Sequence, residues 1–238
     1  MDFLKILKSF EEFVYEALTW LVLLPRTLLR IVVSPGRMTA YARQELGSES
    51  EARFSDALSP PLLLILCVLI SHFIDLAVRS PDTKVESGLG GMVLSSEQNL
   101  LLYRTIAFGV WSLAGSVYLL LCLRKPVNRE TLRMPFYEQC YLVAPFALAT
   151  SISLTLIDLG QTWSLLVATF LSLAFVLWFW VTQAAWLRSS ASLGRWRSLV
   201  AATLVLLVGS VVNAGIGHVL TSSGSGNPDE PQDCIAPG

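Results

Sequence analysis

The chain has 238 residues, of which 53% are hydrophobic and only 15% are charged, and its mean hydropathy is +0.59. This composition excludes a soluble globule, because it supplies too little polar surface to cover a protein of this size. The formal net charge of −1 conceals a strongly uneven distribution of Lys and Arg along the chain. Four cysteines without any CxxC spacing do not predict a disulfide framework.

Residues 2–33 are predicted to form an amphipathic helix that lies along the inner membrane surface. At 100° per residue, its polar and charged side chains fall largely on one side. The apolar side would lie among acyl chains while the cationic residues meet anionic headgroups. Pro25 is expected to kink this helix. The apolar side is made by Phe3, Ile6, Phe10, Phe13, Ala17 and Leu21.

Two alternatives exist for this first segment. It does not match a signal peptide, because three glutamates interrupt the required apolar stretch and no small-residue cleavage site follows Leu24, so we expect it to be retained. The other alternative is a sixth span or a re-entrant hairpin across 14–33. Arg26 and Arg30 make that crossing costly, and it would move the N-terminus outside.

The remainder of the chain divides by polarity. Residues 34–57 are polar enough for a cytoplasmic linker with room for one short helix, so 1–57 is predicted as a cytoplasmic amphipathic helix and linker. Residues 58–221 form the membrane domain. The tail at 222–238, which includes Cys234, is rich in Ser, Gly, Asn, Pro and Asp and is predicted to be disordered on the outer side.

Five apolar runs of membrane-spanning length dominate the sequence and predict an all-α polytopic bundle of five transmembrane helices. With a cytoplasmic N-terminus, seven Lys and Arg precede the first span, four follow the second and three follow the fourth, which places fourteen of the seventeen inside. The positive-inside rule therefore predicts an N-in, C-out orientation in a plasma or bacterial inner membrane. The predicted spans are 62–78, 106–123, 140–157, 163–187 and 199–220.

Ionisable and amide side chains within these spans are the first candidates for function, because their burial near the bilayer centre costs about 2.5–3.5 kcal/mol. In the N-in orientation they lie near the outer ends of their helices and are predicted to share one polar layer. His72 and Asp75 are three residues apart on one helix face, which suits a proton relay or a metal ligand pair. The competing interpretation, which we favour, is that the aspartates mark the edge of the hydrocarbon. The candidate layer consists of His72, Asp75, Asp158, Asn213 and His218.

Small residues recur every four positions in the third and fifth spans and predict close helix packing rather than a substrate path. We expect the Asn213 amide to bond to a neighbouring span or to line a wet cavity, because an unpaired amide in hydrocarbon is costly. The candidate packing residues are Ala147, Ser151, Thr155, Gly209 and Gly217.

Two further features have structural interpretations. Glu138, beside the cationic loop, is expected to form a solvated salt bridge with Arg129 or Arg133. The fourth span carries tryptophans interpreted as lipid anchors, with the two end ones at the two interfaces. These tryptophans are Trp163, Trp178, Trp180 and Trp186.

The layout resembles the Yip-type domain family in its cytoplasmic N-terminal segment, its five clustered spans, the proline-marked entry Ser59-Pro60-Pro61 and the third-span segment Tyr141-Leu142-Val143-Ala144-Pro145. The resemblance covers residues 30–220. The chain lacks the Asp-Leu-Tyr-Gly-Pro element of the eukaryotic members and a Gly before Tyr141. The resemblance therefore implies a fold more than the small-GTPase and trafficking role of those members; some bacterial relatives carry the label permease.

No motif in the sequence predicts catalysis, a cofactor or a bound metal, and no basic pattern predicts nucleic-acid binding. We therefore expect a non-enzymatic scaffold or accessory subunit of a membrane complex, whose partners are the bilayer and either another membrane protein or a second copy. The alternative is a small permease that uses the polar layer. An intramembrane enzyme with His72 and Asp75 as acid and base is the least supported class.

Overall fold

A computed structural model describes residues 3–48, 54–78 and 97–222, and within these ranges α-helix is present and β-strand is not. Side chains are described except at 3–7, 97–100, 102 and 216–222. The predictions for Phe3, Ile6, Gly217, His218 and Cys234 therefore lie outside the described side chains. The helices are α1 Phe3–Val33, α2 Pro35–Gly47, α3 Pro60–Val78, α4 Glu97–Cys122, α5 Arg129–Asp158, α6 Thr162–Ala191 and α7 Arg195–Ser222.

Five of these helices are long and apolar enough to cross a membrane, and they coincide with the five predicted spans. The predicted all-α polytopic bundle is thereby confirmed. The helices extend beyond the apolar runs because backbone hydrogen bonding continues into the polar residues at the membrane boundary. The spanning segments are Pro60–Val78, Tyr103–Cys122, Arg129–Asp158, Thr162–Ala191 and Arg195–Gly215.

Local signals fix the two ends of α5. The Asn128 side chain accepts a 2.9 Å hydrogen bond from the Thr131 backbone N–H, and the Thr131 hydroxyl accepts one from the Asn128 N–H, so the pair forms a capping box. The helix then continues through Pro135 and Pro145, as membrane helices can where neighbouring helices enclose the freed carbonyls. Gly160, with φ +65°, turns the chain into α6.

Helix α5 is the centre of the bundle. It packs against α3, α4 and α6, and α7 closes the bundle against α4 and α6. The most apolar window of α5 is 67% buried inside the protein, against 17–39% for the four other spans. The third span is therefore the one most shielded from lipid, which explains how it tolerates its Ser and Thr residues.

The segment predicted as a linker is a packed part of the fold. Helix α1 continues through Pro25 and meets α2 at a bend of 119°. Helix α2 packs against α5 and α6, and it contributes Met38 and Ala42 to the buried core. The turn after it contributes Ala57 and Leu58. If α1 and α2 together formed one bent span, the described residues would cross the membrane six times.

The two halves of α1 differ in their surroundings. In the C-terminal half, Thr27 and Ile31 are fully buried, and Trp20, Leu24 and Leu28 pack against the core. The N-terminal half leaves large apolar side chains exposed, so the bundle covers only the C-terminal half. The exposed apolar residues of the N-terminal half are Phe10, Phe13, Val14, Tyr15 and Leu18.

Candidate functional site

A buried ion pair lies at the end of the bundle formed by the C-terminal end of α3. Arg104 of α4 donates a 2.9 Å hydrogen bond to Oδ2 of Asp75, and their side chains are 16% and 4% exposed. The Thr155 hydroxyl of α5 lies 3.2 Å from both Asp75 Oδ1 and the Ser151 carbonyl oxygen and can donate to either. Three helices thus supply one charge cluster, which we call the Asp75 cluster. Its pairing offsets the cost of desolvating two charges.

Arg104 was not predicted as the partner, because it is one of the three cations that the N-in orientation leaves on the outer side. The available signal was its place only two residues before the predicted second span, close to the helix end that holds Asp75. An arginine at that position belongs to the same helix as the span. Its guanidinium can therefore reach inward to a carboxylate on the neighbouring helix.

The other residues of the predicted polar layer occupy different places. His72 is buried beside Asp75 on α3, whereas Asp158 is exposed at the end of α5. The Asn213 amide donates a 3.4 Å hydrogen bond to the Ala107 carbonyl of α4. The structure therefore brings His72 and Asp75 together and leaves Asp158 at the surface. Among the described residues, no three His, Cys, Asp or Glu side chains are close enough to hold a metal ion.

An open cavity of about 660 Å³ lies beside the Asp75 cluster, among α4, α5, α6 and α7. Trp111 and Phe146 form part of its apolar wall, and Arg104 and Asn213 are among its polar residues. One guanidinium nitrogen of Arg104 and the carbonyl oxygen of Asn213 are buried without a hydrogen-bond partner in the described part of the chain. Apolar walls with a few polar groups are typical of small-molecule sites.

The predicted small-residue faces lie inside the bundle. Ala147, Ser151 and Thr155 are at most 5% exposed. Gly209 lies so close to the Trp111 ring that an added Cβ would be 2.6 Å from it. These faces bring the helices of this chain together. They are consequently covered by the chain itself and do not form an open surface.

A second charge cluster, which we call the Glu138 cluster, lies on α5 about 26 Å along the helix from Thr155. Arg43 of α2 holds the Glu138 carboxylate by two hydrogen bonds of 2.9 and 3.0 Å, and the Trp186 indole N–H donates a third of 2.6 Å. These hydrogen bonds raise the pKa of the Arg43 guanidinium above its ordinary value. The cluster ties α2 to α5 and α6.

The sequence-based interpretations of Glu138 and Trp186 were wrong. Glu138 is 2% exposed, and its partner is Arg43, because α2 covers this end of α5. Trp186 is 4% exposed and points into the bundle, so it is not an interfacial lipid anchor. The indoles of Trp178 and Trp180 also donate within the protein, to the Val32 carbonyl and the Thr203 hydroxyl. Only Trp163 among the four is largely exposed, at 56%.

Two buried glutamines meet next to the Glu138 cluster. Gln139 of α5 and Gln183 of α6 are fully buried, and neither amide has a hydrogen-bond partner within the described residues. Both approach Gly115 of α4 so closely that a Cβ there would lie 2.7–2.8 Å from them. The ends of two buried amide side chains therefore pack against Gly115, where three helices meet.

The cation-rich parts of the chain share one end of the bundle. Arg43 of α2 lies against Glu138 near the start of α5 and 3.4 Å from Ser190 near the end of α6. The N-terminal segment, the α4–α5 connection and the α6–α7 connection therefore meet at this end. At the opposite end, the one Lys or Arg among the described residues is Arg104, and Asp75 balances its charge.

No protein-family description, curated protein or solved structure matches this chain.

Proposed function

We propose that this protein is a non-enzymatic integral membrane protein that acts as a scaffold or accessory subunit of a membrane complex. The observation that carries the proposal is the projecting apolar face of α1. Phe10, Phe13 and Leu18 are 57–62% exposed and lie beyond the part of α1 that packs on the bundle. Because the described small-residue positions of α5 and α7 are covered by the chain itself, we assign the partner to the projecting half of α1.

Charge favours a protein over the lipid surface as the partner of this half of α1. Residues 8–19 contain one cation, Lys8, and three glutamates, Glu11, Glu12 and Glu16. An anionic lipid surface would repel this acidic stripe, whereas a basic stripe on another membrane protein would attract it. The partner is therefore expected to be a membrane protein with an apolar groove bordered by Lys or Arg. The alternative outcome of the test is association with a second copy of this chain.

The test is purification of the tagged protein from its native membrane in mild detergent, followed by mass spectrometry. The variant F10A/F13A/L18A removes the projecting face. The matched control is F170A/L173A/L177A, which removes three exposed side chains from the lipid-facing surface of α6. We expect a stoichiometric partner that the α1 variant loses and the α6 variant keeps. Equal recovery with both variants, or transport of a solute by the purified protein alone, would contradict the proposal.

We further propose a plasma or bacterial inner membrane location with the N-terminus cytoplasmic and the C-terminus outside. The gathering of cations at the α2 end of the bundle supports this orientation. In a background where Cys122 and Cys234 are both replaced by serine, V127C and Q161C place a thiol on opposite ends of the bundle. A membrane-impermeant maleimide should label Q161C in intact cells and leave V127C unlabelled. The reverse labelling pattern would show that the N-terminus lies outside and the C-terminus inside.

A small permease is the second candidate, and the cavity beside the Asp75 cluster is the observation that favours it. The variant D75N removes a buried charge that partners Arg104, whereas D158N removes an exposed one of the same kind. If the cavity conducts a solute, D75N lowers uptake into proteoliposomes at least tenfold and D158N leaves it unchanged. Uptake that is absent, or equal in the two variants, would reject the permease.

A further inference from the structure

The bend between α1 and α2 encloses a cavity of about 540 Å³ that the scaffold proposal does not use. Arg30 near the end of α1 and Arg37 in the first turn of α2 both line it. Leu29, Val33 and Ser34 line it as well. Two cations therefore share one concave surface at the point where the amphipathic helix joins the bundle.

Among the residues that the structure describes, no carboxylate forms an ion pair with either arginine. Within the described residues, Arg30 donates only to the backbone carbonyl of Asp56, at 3.2 Å, and Arg37 forms no ion pair. Asp56 also lines the cavity, and its charge offsets one of the two positive charges. By contrast, Arg43 and Arg104 are each held by a buried carboxylate. Counted over its described lining residues, the cavity therefore carries two positive charges and one negative charge.

The start of α2 adds to this positive field. Ser34 is the N-cap residue, yet its hydroxyl does not cap the helix, and Pro35 follows it without an N–H of its own. An added Cβ at Gly36 would meet nothing within 4 Å, so the backbone here is open to an approaching ligand. A helix N-terminus carries a partial positive charge that favours phosphate. It reinforces the two arginines at the same place.

The rim of the cavity is apolar. Leu29 and Val33 are four residues apart on α1, so they lie on one helix face, and they are 66% and 78% exposed. Cationic groups in a cavity beside an exposed apolar strip match a phospholipid, whose phosphate and acyl chains are adjacent. We propose that this cavity binds the phosphate of an anionic phospholipid, with an acyl chain lying along Leu29 and Val33.

The test uses the full-length protein, delipidated in detergent and titrated with short-chain phosphatidylglycerol, phosphatidylcholine or inorganic phosphate. The variant R30Q/R37Q removes the two cavity cations. The control K8Q/R26Q removes the same number of exposed cations from α1 outside the cavity. R30K/R37K keeps the charge and serves as the folding control.

We expect the affinity of K8Q/R26Q for phosphatidylglycerol to lie within twofold of the affinity of the native protein. The affinity of R30Q/R37Q should be at least tenfold lower. R30K/R37K should recover most of the binding. Equal losses in R30Q/R37Q and K8Q/R26Q would show general surface attraction and overturn the proposal. Binding of inorganic phosphate as tight as that of phosphatidylglycerol would also overturn it, because the lipid body would then contribute nothing.

A second measurement does not depend on the variants. Phosphatidylglycerol with a diazirine near the head of its acyl chain is added to native protein, irradiated, and the labelled peptides are identified by mass spectrometry. Labelling should concentrate within residues 29–41. Labelling spread over the lipid-facing surfaces of α6 and α7, without enrichment at 29–41, would reject the site.

Discussion

Replacing Arg43 with alanine should destabilise the protein by an amount that the geometry of the Glu138 cluster determines. The variant removes two charge-assisted hydrogen bonds and leaves the Glu138 carboxylate, which is 2% exposed, with the Trp186 N–H alone. Loss of one partner from a fully buried pair costs about 3–5 kcal/mol. Because half of the Arg43 side chain is exposed and part of its attraction is screened by solvent, we expect about 2–3 kcal/mol.

The assay is a double-mutant cycle of R43A, E138Q and the double variant, unfolded by sodium dodecyl sulfate in mixed micelles and followed by tryptophan fluorescence. The double variant should be more stable than R43A, because no uncompensated carboxylate remains in it. The control E130Q changes an exposed glutamate in the first turn of the same helix and should cost less than about 0.5 kcal/mol. If R43A lowers the free energy of unfolding no more than E130Q does, or if the coupling energy is zero, the ion pair between Arg43 and Glu138 does not stabilise the fold.

Two further changes test the packing at each side of α5. G115A should lower the free energy of unfolding by about 1–3 kcal/mol, because its Cβ would overlap the buried Gln139 side chain. The control G109A on the same helix meets open space and should be neutral or stabilising. The same micelle titration compares the two variants, and equal effects would argue against the close contact. Y141F should cost about 1–3 kcal/mol, since the Leu58 carbonyl loses a 2.7 Å buried hydrogen bond, and a thermal shift within error of the native protein would contradict that bond.

The spans were predictable because each is an apolar run of about 20 residues, a signal that needs no tertiary information. Their ends were less predictable, because a helix does not stop where the hydrocarbon stops. The predicted third span began at residue 140, whereas α5 begins at Arg129, where the Asn128 capping box starts it. Capping depends on a few local contacts that hydropathy does not register.

The charge clusters were only partly predictable. The cost of burying Asp75 singled it out, but its partner is identified by the packing of α3 on α4, which the sequence does not encode locally. Arg43 and Glu138 are separated by 95 residues, and α2 is too polar to look like part of a membrane bundle. Its docking over α5 is a tertiary effect that turns an apparently solvated glutamate into a buried one.

The most direct test of the proposed scaffold function is site-specific photo-crosslinking in the native membrane. A photoreactive phenylalanine analogue is placed at Phe13 on the projecting half of α1, or at Phe170 on the lipid-facing surface of α6, both of which are exposed. If α1 docks on a protein, position 13 gives one discrete protein adduct and position 170 gives lipid adducts. Lipid adducts alone from both positions would contradict this docking, since α1 would then be a membrane anchor without a protein partner.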